Sequence, residues 1–102
     1  MSKIHEVVIH QDVLEEDMRD MRARGDDVQE YEIVLKRLKH KEPAVRIPYE
    51  VSPQQLADMF EAGDSVTLSG CYGGARECIE EYGDALRNKG INVYLDREAI
   101  LE

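Results

Sequence analysis

Residues 65–95 decide the predicted fold and read SVTLSGCYGGARECIEEYGDALRNKGINVYL. A run typical of a β-strand at 65–69 leads into a glycine-rich turn at 70–74. Apolar residues then recur at helical spacing from about 75 to 89, and a second alternating run follows at 91–95. Two strands joined by a helix within about 30 residues need a crossover connection, which makes the strands parallel. The stretch therefore predicts an α/β fold.

Elements upstream of this unit extend the predicted sheet. A β-branched run at 4–9 and a short run at 44–48, which Pro48 ends, indicate two more strands. Ser52, Pro53 and Gln55 mark a helix start, because serine caps the helix, proline suits its first position and glutamine closes a capping box. We predict an α/β domain with a small, mostly parallel sheet of three or four strands. The predicted strands are 4–9, 44–48, 65–69 and 91–95, and the predicted helices are 12–24, 27–40, 53–62 and 75–89.

The two helices before residue 42 are separated by Gly25, which favours the end of the first one. They form either a helical hairpin or one long bent helix, and a hairpin could be an appendage to the sheet. The length of 102 residues fits a single domain. Within it, 1–42 would be a strand plus a helical segment and 43–102 the α/β unit.

Composition excludes several classes of function. The net charge of −9 argues against nonspecific binding to nucleic acid, which needs clustered basic residues. The same charge fits ordinary solubility or an acidic face that binds a basic protein. No apolar run approaches the roughly 20 residues that cross a bilayer, and the first residues lack the apolar region of a signal peptide, so we expect a cytoplasmic protein. Two cysteines make neither a disulfide framework nor a zinc site, and we expect no metal or cofactor.

The glycine-rich turn is the predicted functional site, because ligands of open parallel sheets bind beyond the carboxyl ends of the strands. Glycines let the backbone approach a ligand closely, and the start of the following helix favours anions. The spacing matches neither the dinucleotide-binding nor the Walker A motif, so a simple tight turn is the alternative. The candidate ligand-binding residues are Gly70, Cys71, Tyr72, Gly73, Gly74 and Arg76.

Cys78 is the candidate nucleophile. The start of a helix lowers the pKa of a thiol, and Arg76 would add to that effect. The alternative is that Cys78 is a small buried hydrophobe on the same helical stripe as Tyr82. His10 follows the first predicted strand, and if it lies at the same end of the sheet as the turn it is the candidate base for Cys78.

Residues 45–95 carry a partial resemblance to a known family. An apolar strand ending at Gly70, the pair Cys78-Ile79 and the interval from Cys78 to Gly90 resemble the isochorismatase-like cysteine hydrolases. The resemblance implies a Rossmann-like α/β fold with Cys78 as nucleophile. The family's triad adds an aspartate after the first strand and a lysine. Asp12 would fill the first place only with a shift and Arg46 stands near the second, so the resemblance implies an incomplete catalytic set. The strand, turn and helix are also similar to those of nucleoside deoxyribosyltransferase-like nucleotide binders.

Two functions from different classes remain open. The first is a small acidic interaction or regulatory protein, such as an inhibitor, that binds a partner protein through the helical segment 12–32. The second is a small-ligand or nucleotide-type binding protein, or a degenerate cysteine hydrolase, that uses the turn from Gly70 to Cys78. We favour the first, and with it a protein that is not an enzyme, because the catalytic set is incomplete. A homodimer formed across the helices could complete a pocket.

Overall fold

The computed structural model describes residues 4–71 and 77–101 of the chain. Strands and helices alternate along most of this length, with two consecutive helices after the first strand. In chain order the elements are β1 (Ile4–Ile9), α1 (Gln11–Arg24), α2 (Gln29–Lys39), β2 (Val45–Ile47), α3 (Pro53–Ala57), β3 (Ser65–Cys71), α4 (Glu77–Asn88) and β4 (Asn92–Leu101).

The four strands form one sheet in the order β2-β1-β3-β4, and every neighbouring pair is parallel. The predicted α/β class with a small parallel sheet is therefore confirmed, and the number of strands in the described residues is four. The first strand lies inside the sheet, because Val7 of β1 is paired with Val45 on one side and with Leu68 on the other.

Helices cover both faces of the sheet. Since side chains alternate along a strand, Val7 and Ile9 point to one face and Val8 to the other. The larger cluster of buried residues joins Val7 and Ile9 to residues of α3 and α4. The smaller one joins Val8 to residues of α1 and α2. The helical segment is therefore two separate helices that connect β1 to β2 and cover one face of the sheet, and the interpretation of it as an appendage was wrong.

The last strand is longer than predicted. The run at 91–95 was expected to end at Asp96, but β4 continues to Leu101. The pairing shifts between Leu68↔Leu95 and Gly70↔Ile100, so residues 96–99 include an irregularity that keeps the strand on the sheet. Two charged residues in this continuation of β4 form ion pairs. Asp96 accepts a hydrogen bond from Lys41 at 2.7 Å, and Glu98 accepts one from Arg37 at 2.8 Å.

The predicted start of α3 is confirmed and its end is not. The Ser52 hydroxyl accepts from the Gln55 backbone at 3.2 Å, and the Gln55 side chain accepts from the Ser52 backbone at 2.8 Å. The helix ends at Ala57 instead of 62, because the following turns tighten to three-residue spacing, as in the bond from Phe60 N to Ala57 O at 3.2 Å. This places Phe60 in the core, where it is 5% exposed.

Two glycines are expected to respond oppositely to alanine. Gly70 has φ 112°, and a Cβ there would lie 2.2 Å from the Ile9 carbonyl oxygen, so Gly70→Ala should lower the free energy of unfolding by about 3 kcal/mol or more. Gly83 lies within α4, where a Cβ would meet only the flexible end of Arg87 at 3.2 Å. Gly83→Ala should therefore stabilise the protein by about 0.5–1 kcal/mol.

Urea unfolding of both variants beside the wild type measures the two effects. Gly83→Ala is the matched control for Gly70→Ala, since each adds one methyl group. Equal midpoints for the two variants would contradict the close approach of β1 and β3.

Candidate functional site

The site lies where β1 and β3 end side by side. From β1 the chain crosses one face to reach β2, and from β3 it crosses the other face to reach β4, so the direction of winding changes between β1 and β3. Ligands of doubly wound sheets bind at such a point, outside the carboxyl ends of the strands. Ile9 is paired with Gly70 here, which puts His10 at the same end of the sheet as the glycine-rich turn.

His10 has an unusual backbone. It adopts the left-handed conformation, with φ 54° and ψ 42°, at the residue that precedes α1. Few residues other than glycine do so, although histidine is among those enriched there. Hydrogen bonds hold it in place: its amide donates to the Ile47 carbonyl at 2.8 Å, and its carbonyl accepts from the amides of Val13 and Leu14. Because its side chain does not cap α1, the imidazole is directed elsewhere.

The imidazole of His10 joins a polar network in the core. The residue is only 4% exposed, and its Nε2 lies 3.0 Å from the Tyr82 hydroxyl. The Tyr82 hydroxyl donates to the Val51 carbonyl. A phenol has one proton to donate, so Nε2 must be the donor to Tyr82, and the lone pair lies on Nδ1. The Tyr49 ring also packs against the imidazole, tilted by 49° with ring centroids 5.4 Å apart.

Burial keeps both members of this pair uncharged near neutral pH. Desolvation lowers the pKa of His10, and the nearby Asp12 carboxylate only partly opposes it. The pKa of Tyr82 is raised, first by burial and then by the charges of Cys78 and nearby carboxylates. The phenol therefore remains a donor, and Nδ1 of His10 remains available as an acceptor.

Cys78 is the second residue of α4 and is half-buried. It packs against the larger core cluster, four residues before Tyr82, and forms no disulfide. It thus lies on the predicted stripe with Tyr82, as the alternative interpretation required, but it is not fully buried. Its reactivity stays a prediction. Cys78 lies about one helical turn before Tyr82, which contacts His10, so both residues are at the same end of the sheet.

The residues predicted for the glycine-rich turn are only partly described. Gly70 is required by the strand packing, because no side chain fits against Ile9. Cys71 was expected in the turn, but it is the last residue of β3, where it is paired with Leu101. The remaining predicted ligand-binding residues lie outside the described part of the chain; they are Tyr72, Gly73, Gly74 and Arg76.

The two positions compared with the hydrolase triad lie beside His10. Asp12 is in the first turn of α1 and accepts a hydrogen bond from the Tyr49 amide at 3.4 Å. Arg46 donates to the Gln11 side chain at 2.6 Å and to the Lys41 carbonyl at 2.9 Å, so its guanidinium is engaged away from Cys78. A pocket of about 220 Å³ opens here. Its lining is Gln11, Asp12, Glu15, Arg46, Ile47 and Pro48.

Sequence reasoning missed Tyr82 and Tyr49 as members of the site. Tyr82 was assigned only to the apolar stripe of its helix. The available signal was its polar tip, since a buried phenol almost always finds a hydrogen-bond partner. That partner is His10, which is 72 residues away in sequence. Tyr49 carried no local signal of this kind.

The lowered pKa of His10 predicts acid sensitivity. The folded state holds His10 neutral, whereas the unfolded chain protonates it near its ordinary value of about 6.5. Its contribution to stability is therefore complete above that value and is lost as pH falls toward the folded pKa. We expect the urea midpoint to fall between about pH 7 and pH 5.5. The fall should be smaller in His10→Asn, which tolerates the left-handed backbone.

Because His5, His40 and the carboxylates are common to both proteins, the difference between the two slopes isolates His10. Parallel slopes for wild type and His10→Asn would refute the assignment.

Within residues 4–71 and 77–101, no group of three or more histidine, cysteine, aspartate or glutamate side chains is arranged to hold a metal ion. The described helices also include none that is long and apolar enough to cross a membrane. Comparison of the chain with protein-family models, with curated proteins and with solved structures found no match.

Proposed function

We propose that the protein binds a small ligand at the carboxyl end of β1 and β3, with His10 as its central recognition residue. The observation that carries the proposal is the buried His10 with its left-handed backbone. Its ring is hydrogen-bonded to Tyr82 at the point between β1 and β3 where the winding of the chain reverses. Uncommon backbone conformations persist where the surrounding structure fixes them, and they cluster at ligand sites. A residue needed only to start α1 would not require a buried imidazole.

The polarity of the site favours an uncharged hydrogen-bond donor on the ligand. Nδ1 of His10 is an acceptor, and the lowered pKa keeps it so at neutral pH. Carboxylates of Asp12 and Glu15 line the adjacent pocket beside a single cation, Arg46, whose guanidinium is bonded to Gln11 and to the Lys41 carbonyl. A phosphate group would therefore meet a net negative lining there. The nucleotide-type ligand considered from the sequence is thus narrowed to its base or nucleoside part.

Tyr49 supports a planar ligand. It is 70% exposed, yet its ring packs against the imidazole of His10. An exposed aromatic ring held in place by a buried one offers a flat surface on which a heterocycle can stack. We therefore propose a planar, nitrogen-containing ring as the ligand class.

Binding is better supported than cysteine hydrolysis. Nε2 of His10, the ring nitrogen that faces α4, carries a proton and donates it to Tyr82, so it cannot accept the thiol proton of Cys78 as a general base. Arg46, near the position of the family's lysine, is bound to Gln11. The hydrolase reaction would need both groups to rearrange.

Nuclear magnetic resonance titration with adenine, nicotinamide, adenosine and AMP tests the proposal. We expect the neutral compounds to shift the resonances of the His10 ring at millimolar concentration, and AMP to bind more weakly than adenosine at low salt. Tyr49→Ala should weaken binding about tenfold by removing the stacking surface. Tyr94→Ala is the matched control, since Tyr94 is also exposed but lies on β4.

The proposal fails if none of the four compounds shifts the His10 ring, or if Tyr94→Ala and Tyr49→Ala weaken binding equally. Stronger binding of AMP than of adenosine would refute the assigned polarity.

A basic partner protein for the helical segment 12–32 is the second candidate. Glu16, Asp17 and Asp20 are exposed on α1, and the ion pairs within the described part of the chain involve other residues. Unpaired surface carboxylates on one helix attract a basic surface, and salt weakens that attraction. This observation favours an interaction or regulatory role beside ligand binding.

Affinity capture from an extract of the native host tests this role. The variant Asp17→Asn/Asp20→Asn should lose a captured protein that the wild type retains at low salt and releases at high salt. Cys78→Ala is the control and should retain it. Loss of capture with Cys78→Ala but not with the helix variant would refute this surface.

A further inference from the structure

A second groove, with an apolar floor and a charged rim, lies between α2 and the end of β4, away from the His10 site. Its volume is about 560 Å³, and Ile33 stands at its edge with 48% of its surface exposed. The floor consists of Val34 and Ile100, which are almost fully buried. The complete lining is Glu30, Ile33, Val34, Arg97, Ile100 and Leu101.

The rim of this groove carries two opposite charges, Glu30 and Arg97. Glu30 and Arg97 take part in no ion pair within the described residues, whereas their neighbours Arg37 and Glu98 pair with each other at 2.8 Å. The groove thus presents an acid, a base and an exposed isoleucine on one surface. We call this surface the α2–β4 face.

The edge of the sheet borders this face. In the described part of the chain, β4 is paired with β3 on one side only. Its Tyr94 side chain is 59% exposed. An edge strand with exposed apolar groups readily takes another chain as a neighbour unless it is protected.

We infer that the α2–β4 face is where two copies of this chain associate about a twofold axis. A twofold interface brings the same surface of both copies together, so residue i meets residue j and j meets i. Glu30 of each copy would then pair with Arg97 of the other. Each Ile33 would enter the other copy's groove, which covers the exposed apolar surface of both.

The charges favour a second copy over a different partner. A net charge of −9 repels other copies in general, so association needs a local surface on which charges of both signs match. The α2–β4 face has one of each. A basic partner would oppose Arg97, and an acidic partner would oppose Glu30. The inference is independent of the proposed ligand site, which lies between β1 and β3.

Analytical ultracentrifugation of the wild type and of surface variants tests the inference. We expect a reversible dimer for the wild type and a monomer for Ile33→Asp. Met59→Asp is the matched control, because Met59 is similarly exposed, at 55%, but lies after α3, and it should remain dimeric. Circular dichroism verifies that each variant is folded.

Exchange of the rim charges identifies the partner directly. Glu30→Arg and Arg97→Glu alone should each weaken the dimer about tenfold or more, because each homodimer then faces two like-charge contacts. A mixture of the two variants should form a heterodimer of near wild-type affinity, in which both contacts again join opposite charges.

A wild type that is monomeric at every concentration overturns the inference. So does a dimer that Ile33→Asp leaves intact, or a pair of charge variants that shows no preference for the mixed dimer. These outcomes leave ligand binding at His10 unaffected, so failure here and failure of the proposed function are distinguishable.

Discussion

The close approach of β1 and β3 at Ile9 and Gly70 is the constraint on which the site depends. No side chain fits at Gly70, since even a methyl group would lie within 3 Å of the Ile9 backbone. The approach fixes the register of the two central strands, and register in turn sets which side chains face each helical layer. It also brings His10, the residue after β1, beside the end of β3. Gly70 thus positions His10 through the backbone pairing of the two strands.

The polar network above this contact ties three parts of the chain together. His10 follows β1, Tyr82 belongs to α4, and the acceptor Val51 lies between β2 and α3. A buried imidazole or phenol is costly unless it is hydrogen-bonded, so each group stabilises the burial of the other. Because loss of either partner would leave a buried polar group without a hydrogen bond, other packings of His10 and Tyr82 are disfavoured. The same burial keeps His10 neutral, which links the stability of the fold to the chemistry of the site.

Local patterns predicted the elements, and distant contacts decided what the patterns missed. The parallel unit was predictable because alternating and helical periodicities are properties of short stretches. The end of β4 was not predictable, because Asp96 interrupts the alternating run. Asp96 and Glu98 are accommodated in the strand by ion pairs with Lys41 and Arg37, which lie far earlier in the sequence. For the site, the sequence could select His10 and Cys78 by their position after a strand and near a helix start. It could not select Tyr82, whose role depends on a partner 72 residues away.

Lys41, which follows α2, fixes the position of that helix relative to the sheet. Its side chain is 14% exposed, and its ammonium group bonds to both Glu6 and Asp96, at 3.0 and 2.7 Å. Burial alone would lower the pKa of Lys41, but hydrogen bonds and charge interactions with the two carboxylates raise it, so the group stays charged. The end of α2 is thereby attached to β1 and β4 at once. The inner face of α2 packs in the core and the residues after its end form this ion pair, whereas the side that carries Glu30 and Ile33 is exposed.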